Sequence, residues 1–286
     1  LPLPVRSGAR GLRQSDAVFH HSRGLPQLLC GLLPQQDLGA IGVSASPTTE
    51  EGSYMPCFLP GLGQARVLGA ALDIPVYEFS HQQGHIAAAL YSAGRLDLLE
   101  ESFLAFHVSG GTTEALIVSP ISKSGGGPGI RPAARSLDLK AGQAVDRVGV
   151  AMGLPFPCGP HLERLALMWD GRIKVRPSMK GADCSLSGIE NQCLDMLKSG
   201  RPKEETARYC IESIAAALKA MCSALVSEHG EMPLVFSGGV CGNSIIRQEL
   251  QGSFKAGFAA PEFSSDNAAG VALLAALAHE QSRQNP

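Results

Sequence analysis

Eight cysteines are spread through the 286 residues, and none of them forms a Cys-x-x-Cys pair. Cys30, Cys57, Cys158, Cys184, Cys193, Cys210, Cys222 and Cys241 are too scattered for a zinc ribbon or a disulfide framework. Free thiols in a reducing, cytoplasmic setting are therefore expected. Charge of neither sign prevails: 24 Lys and Arg against 26 Asp and Glu leave a net charge of −2. That balance excludes an overall basic coat for nucleic acid and leaves only local patches, with Arg10, Arg13, Arg23 and Arg66 as candidate contributors. Apolar runs are broken by Gly, Pro or charge before the roughly 18 residues a membrane span needs. The opening LPLPVR lacks the apolar centre of a signal peptide, and no membrane partner is expected. Walker loops, GxGxxG fingerprints, GxSxG elbows and HExxH helices are all missing.

What is present describes an α/β protein. With 44% apolar and 17% charged residues the chain has the means to bury a core, and its length suits one large domain or two lobes. Strands are expected at Ala40–Ala45, Ile74–Phe79, Ser102–Val108, Thr113–Val118 and Leu234–Phe236. The second pair forms a hairpin through Ser109-Gly110-Gly111. Helices are expected at Leu62–Leu72, from Ser80 as cap to Ser92, at Leu139–Met152, from His161, and at Asn243–Leu250. The clearest helix is Glu204–Glu228, where Ile211, Ile214, Leu218, Cys222 and Leu225 keep a spacing of three or four. A last helix starts near Asp266, and Lys123–Gly129 reads as a flexible loop.

Three groups of residues carry chemistry. His81 and His85 stand four apart, so on a helix their imidazoles share a face and can hold one metal ion; two surface histidines are the bland alternative. Gly84 between them points to a close backbone approach. Asp266 is a candidate third ligand, or simply a helix cap. The second group is two glycine turns after apolar strands, Val108-Ser109-Gly110-Gly111-Thr112 and Ser237-Gly238-Gly239-Val240-Cys241-Gly242-Asn243. Without a Cβ, their N–H groups can approach a phosphate, and the second turn leads into a helix N-terminus. The third is Asp146 with Pro157-Cys158-Gly159-Pro160, which could equally be an exposed ion pair and a plain turn.

In fixed order the chain carries SHQQGH, HVSGGTTEALIV, AGQAVDRVGVAMGLPFPCGP, SLSGIENQ, VFSGGVCGNSIIRQEL and SSDNAAGVA. This series resembles the tRNA threonylcarbamoyladenosine synthase transferase subunit family, once called O-sialoglycoprotein endopeptidase or glycoprotease, over about Ala9 to His279. The resemblance implies an α/β, two-lobed actin/Hsp70/sugar-kinase-like (ASKHA) fold with nucleotide and metal in the interlobe cleft. It implies an N-terminal lobe over 1–102, joined by the last helix at about 267–286, and a C-terminal lobe over 103–266. It matches His81, His85 and Asp266 to the ligands of one divalent metal, iron or zinc. It matches Val108, Ser109, Gly110, Gly111, Thr112, Asp146, Gly159, Gly238, Gly239 and Asn243 to contacts of ATP or threonylcarbamoyl-adenylate. The implied enzyme is an acyltransferase that moves a threonylcarbamoyl group from its adenylate to N6 of the adenosine beside the tRNA anticodon. The implied partners are tRNA and the paralogous or accessory proteins of that transfer complex, in the cytoplasm.

The chain departs from the family pattern in places. Thr112 stands where His or Asn is usual, Gln143 where Glu is usual, and Ser46–Glu51 in place of a Gly-Pro-Gly turn. The family's first strand hairpin would precede Leu1, so an incomplete chain is expected. At this point a divergent paralogue using ATP or an adenylate on another acceptor, and a noncatalytic nucleotide-binding scaffold, remain open. A metallopeptidase is least supported, because His-x-x-x-His lacks the glutamate of HExxH that serves as general base.

Overall fold

A computed structural model describes residues 13–32, 37–121, 126–263 and 268–284. Asp266 and Arg10 lie outside the described residues. The chain divides into two compact units, residues 1–88, 121–129 and 266–286 in the first, and 89–120 and 130–265 in the second.

In the first unit, α1 (Gln14–Leu32) packs on a 3₁₀ turn, Pro56–Phe58, and on α2 (Leu59–Leu72). Helix α2 is the crossover between two parallel strands, β1 (Ile41–Ser46) and β2 (Val76–Ser80), with Ile41 opposite Val76. Helix α3 (His81–Ala93) starts directly from β2. Ser80 caps it as expected, in a reciprocal box: Gln83 N–H donates to Ser80 Oγ at 3.1 Å, and Ser80 N–H to Gln83 Oε1 at 2.8 Å. Helix α9 (Ala268–Gln284) covers the strands through Val271, Leu274, Ala275 and Ala278, which bury Phe79 and Ala87.

The second unit is built on a five-stranded sheet, ordered β5-β4-β3-β8-β9. The hairpin of β3 (Phe103–Val108) and β4 (Thr113–Ile121) closes with Val108 opposite Thr113. Strand β5 (Pro128–Arg135) lies on one edge. Strands β8 (Leu234–Ser237) and β9 (Ala256–Phe258) run parallel to β3, and Phe106, Phe236 and Phe258 stack across them at ring distances of 4.7 and 5.0 Å. Helices α4 (Ala141–Ala151), α5 (Gly159–Leu167), α6 (Ser187–Lys198), α7 (Lys203–His229) and α8 (Ser244–Gln251) supply the rest of the core, with a short hairpin of β6 (Ser178–Lys180) and β7 (Asp183–Ser185). By length and mean hydropathy α7, read from sequence as the clearest helix but not as a span, could cross a membrane. Its Ile211, Ile214, Leu218, Cys222 and Leu225 are all buried in this core.

Several elements differ from expectation, among them the short strands β6, β7 and β9, which were not anticipated. Helices α1 and α6 were not anticipated, and β5 occupies Pro128 and Gly129, which read as loop. Proline suits β5 because an edge strand keeps one row of N–H groups outside the ladder. The cysteines are free thiols, six of them buried.

Candidate functional site

In the first unit, α3 brings its two histidines together. His81 Nε2 and His85 Nε2 are 3.1 Å apart, with the rings at 77°. Two imidazole nitrogens that close need a proton or a cation between them. Bonds of about 2.0–2.1 Å from one cation to two imidazoles span such a gap when they meet near about 100°, so the pair fits a shared metal ion. Phe58 stands edge-on to His81 at 5.6 Å. No group of three His, Cys, Asp or Glu residues forms a metal cluster among the described residues. The Ser46–Glu51 segment closes on itself through Ser46 Oγ to Thr48 O and Thr48 Oγ1 to Ser53 Oγ, both 2.9 Å. Its Pro47 carbonyl accepts from Gln82 N–H at 3.1 Å, which ties it to the first turn of α3.

In the second unit a pocket of about 420 Å³ is lined by Gly110, Asp146, Gly159, Gly239 and Asn243, all anticipated from sequence. Two further glycines, Gly142 in the lining and Gly238 beneath it, explain how the turns can meet. A Cβ on Gly142, at the start of α4, would lie 2.6 Å from the Gly110 amide nitrogen. Gly238, at φ +95°, has its Cα against the Val108 carbonyl. By contrast Gly110, Gly239 and Gly242 face open space, so their backbone is bare toward the pocket. Asn243 caps α8, its Oδ1 accepting from Ile245 and Ile246 N–H at 3.1 and 3.2 Å. Asp146 Oδ1 accepts from Cys158 N–H at 2.9 Å, which fixes the carboxylate beside the Pro157–Pro160 turn.

The other anticipated residues are not brought into this lining. Val108 is a core residue, and Gly238 is packed beneath it. Ser109 Oγ accepts from Gly111 and Thr112 N–H at 3.3 and 3.2 Å, so those two donors serve the turn itself. Gln143 is spent on capping α4, accepting from Lys140 N–H at 3.3 Å. Sequence reasoning missed Gly142, Glu163, Ile211 and Ile246 in the lining. Glu163 Oε1 accepts from Ser244 N–H at 2.7 Å and joins α5 to the start of α8. No local spacing announces it.

A row of polar side chains crosses the sheet near the same turns. His107 of β3 is opposite Glu114 of β4 and Ser237 of β8. Its Nδ1 is 3.1 Å from Ser237 Oγ. Burial holds the His107 imidazole below its usual range and raises the Glu114 carboxyl, against the opposing pull of Lys140.

Comparison with known proteins bears on what this arrangement belongs to. The family described as TsaD, tRNA N6-adenosine threonylcarbamoyltransferase, matches residues 15–273. A tRNA N6-adenosine threonylcarbamoyltransferase of Thermofilum pendens is 27% identical over 94% of this chain and 78% of its own length. One from Thermus thermophilus is 29% identical over 93% of this chain and 80% of its own. Among solved structures, full-length HypF in its phosphate- and nucleotide-bound form aligns with a TM-score of 0.57 at 13% identity, over 92% of this chain and 49% of that one. HypF of T. kodakarensis gives 0.55 at 13%, over 79% and 39%. The chain thus spans less than half the length of the HypF chains, and that likeness is one of fold: α/β, two-lobed, of the actin/Hsp70/sugar-kinase type.

Proposed function

This chain belongs to the tRNA N6-adenosine threonylcarbamoyltransferase family, and from that premise we propose that it transfers a threonylcarbamoyl group from threonylcarbamoyl-adenylate to N6 of the adenosine beside the tRNA anticodon. The observation that carries the reading is the family match across residues 15–273 together with a glycine-walled pocket of nucleotide size. In the reaction the N6 amine attacks the carbamoyl carbon, the bond from that carbon to the phosphate oxygen breaks, AMP departs, and the amine loses a proton.

The chain's own residues bind and orient. Bare backbone at Gly110, Gly239 and Gly242 suits a phosphate, and the N-terminus of α8 favours its negative charge. The Asn243 amide is fixed by its own cap bonds and can donate without rearrangement. Asp146 keeps one carboxylate oxygen on Cys158 N–H and has the other for a ribose hydroxyl.

His81 and His85 would hold the metal, with Asp266 as third ligand. Close packing of α9 on the turn of α3 between the histidines supports that choice, since Gly270 is four residues beyond Asp266 in the chain. Such a metal supplies a Lewis acid and a template for the adenylate. An imidazole and carboxylate set suits iron or zinc. We read the first unit as the N-terminal lobe completed by the last helix, and the second as the C-terminal lobe. A paralogous or accessory protein partner and a cytoplasmic location belong to the same proposal.

Nucleoside mass spectrometry tests it, on tRNA from cells depleted of their own threonylcarbamoyltransferase and supplied with this protein. Restored N6-threonylcarbamoyladenosine is expected. Absence of the modified nucleoside, with folded and metal-loaded protein and matched partners, overturns the reading in favour of another acceptor.

A further inference from the structure

Of the arginines singled out from sequence for RNA contact, Arg66 is engaged by Glu78 at 2.7 Å and Arg23 lies over the Phe19 ring, while a different segment carries unspent charge. Between Gly171 and Lys180 exposed and half-buried positions alternate without a break. Arg172, Lys174, Arg176, Ser178 and Lys180 are exposed, and Ile173, Val175, Pro177 and Met179 are half-buried. Such a period of two sets every charged side chain on one side of an extended chain. No acidic residue occurs from Gly171 to Ala182, in a chain whose net charge is −2.

None of these four basic side chains makes a hydrogen bond or ion pair among the described residues, whereas their neighbours do. Arg201 is held by Glu205 at 3.0 Å, and Lys198 by Asp195 at 3.5 Å. Asp183, opposite Lys180 in the β6–β7 hairpin, turns its carboxylate to the Arg135 N–H at 2.8 Å. Glu205, Asp195 and Asp183 are thus engaged, and although exposed Asp170 borders the ribbon, its four cations leave a concentrated positive potential. Arg172 and Lys174 also wall a hollow of about 470 Å³ that contains Tyr209 and Gln192.

We propose that Arg172, Lys174, Arg176 and Lys180 form a binding surface for the RNA backbone. This rests on the tRNA reading above and adds where the chain grips that substrate. A phosphodiester strand repeats its charge at regular intervals, as the ribbon repeats its own. The hollow adds a half-buried aromatic ring and an amide beside the charges, the combination that receives an unpaired base. An acidic protein segment would use the charges but not the hollow.

The test is fluorescence anisotropy with a labelled tRNA transcript and the full chain, with its partners where they are needed, across a range of salt. For R172A/K174A/R176A we expect binding at least about tenfold weaker at low salt. The dependence of log K on log salt should flatten by about 2 to 3, roughly 0.7–0.9 for each phosphate no longer neutralised. R172K/K174R/R176K should retain both, and the melting temperature should not move in either variant. Adenylate binding, followed by calorimetry, should be unchanged. Equal affinity and slope in wild type and the alanine variant overturn the ribbon while leaving the transferase reading intact. Adenylate binding with no tRNA binding by wild type overturns both. Loss of an acidic protein partner with tRNA binding preserved reassigns the surface to that protein and overturns the proposal.

Discussion

Gly270 of α9 is packed against Gly84 of α3 so closely that a methyl group on Gly270 would strike the Gly84 carbonyl and come within 2.6 Å of the Ala88 amide nitrogen. Gly84 directly precedes His85 in the turn that begins at His81, so the first turn of one helix sets the position of both imidazoles. Gly270→Ala should therefore push α3 away. Overpacking of this kind costs roughly 1–3 kcal/mol, and metal content should fall with it. Thermal unfolding and elemental analysis check the two effects separately; an unchanged melting temperature would remove the wedge argument.

Loss of metal should follow more directly from the ligands. His81→Ala or His85→Ala removes one half of a pair whose nitrogens are 3.1 Å apart. Elemental analysis should show metal lost from either variant, and transfer to tRNA should be abolished in both and in chelated wild type. A metal-free protein that transfers at the normal rate would refute the assignment.

Asn243 has two tasks that one pair of substitutions separates. Asn243→Ala removes the α8 cap, which costs roughly 1 kcal/mol, and weakens adenylate binding. Asn243→Asp keeps an oxygen for the Ile245 and Ile246 amides but sets a carboxylate facing the phosphate. The aspartate variant should melt like wild type and yet bind adenylate at least as poorly as the alanine variant. Equal adenylate affinity in wild type and Asn243→Asp would place the phosphate elsewhere.

Asp138 gives a pH signature. Burial alone would raise its carboxyl. Hydrogen bonds from Ser187 Oγ and from the Leu186, Leu139 and Ser187 amides outweigh that, and the group lies below its usual range. A depressed carboxylate contributes stability that is present above its unfolded value of about 3.9 and is lost as pH falls through the folded value. Acid unfolding of wild type should therefore steepen below about pH 4, and Asp138→Asn should flatten that limb. Asp138→Ala should cost roughly 2 kcal/mol at neutral pH. Denaturant melts across the pH range decide the matter.

Legibility in the sequence tracks how local the stabilising contacts are. Helix α7 is readable because its own apolar spacing fixes its buried face, and α3 because Ser80 and Gln83 box its start from within. Helix α6 is not readable. Its N-terminal donors are satisfied by Asp138, 48 residues upstream of Leu186, so no cap stands where one would look. Pro26 disguises α1, and Pro128, Gly129 and Pro132 disguise β5. The pocket follows the same rule. Its glycine turns announce themselves after apolar strands, while Gly142 and Glu163 reach it only because α4 and α5 are packed against those turns.

The placement of the cysteines turns the native chain into its own labelling reagent. Cys30 on α1 is exposed, whereas burial pushes Cys184 up to about 11 and Cys241 up to about 12. A maleimide dye at neutral pH would attach first at Cys30 and more slowly at half-buried Cys57, whose thiol burial pushes up, with no substitution introduced. The six buried thiols would react only as the core opens. Counting dyes per chain by mass spectrometry then becomes a gauge of foldedness for every variant above.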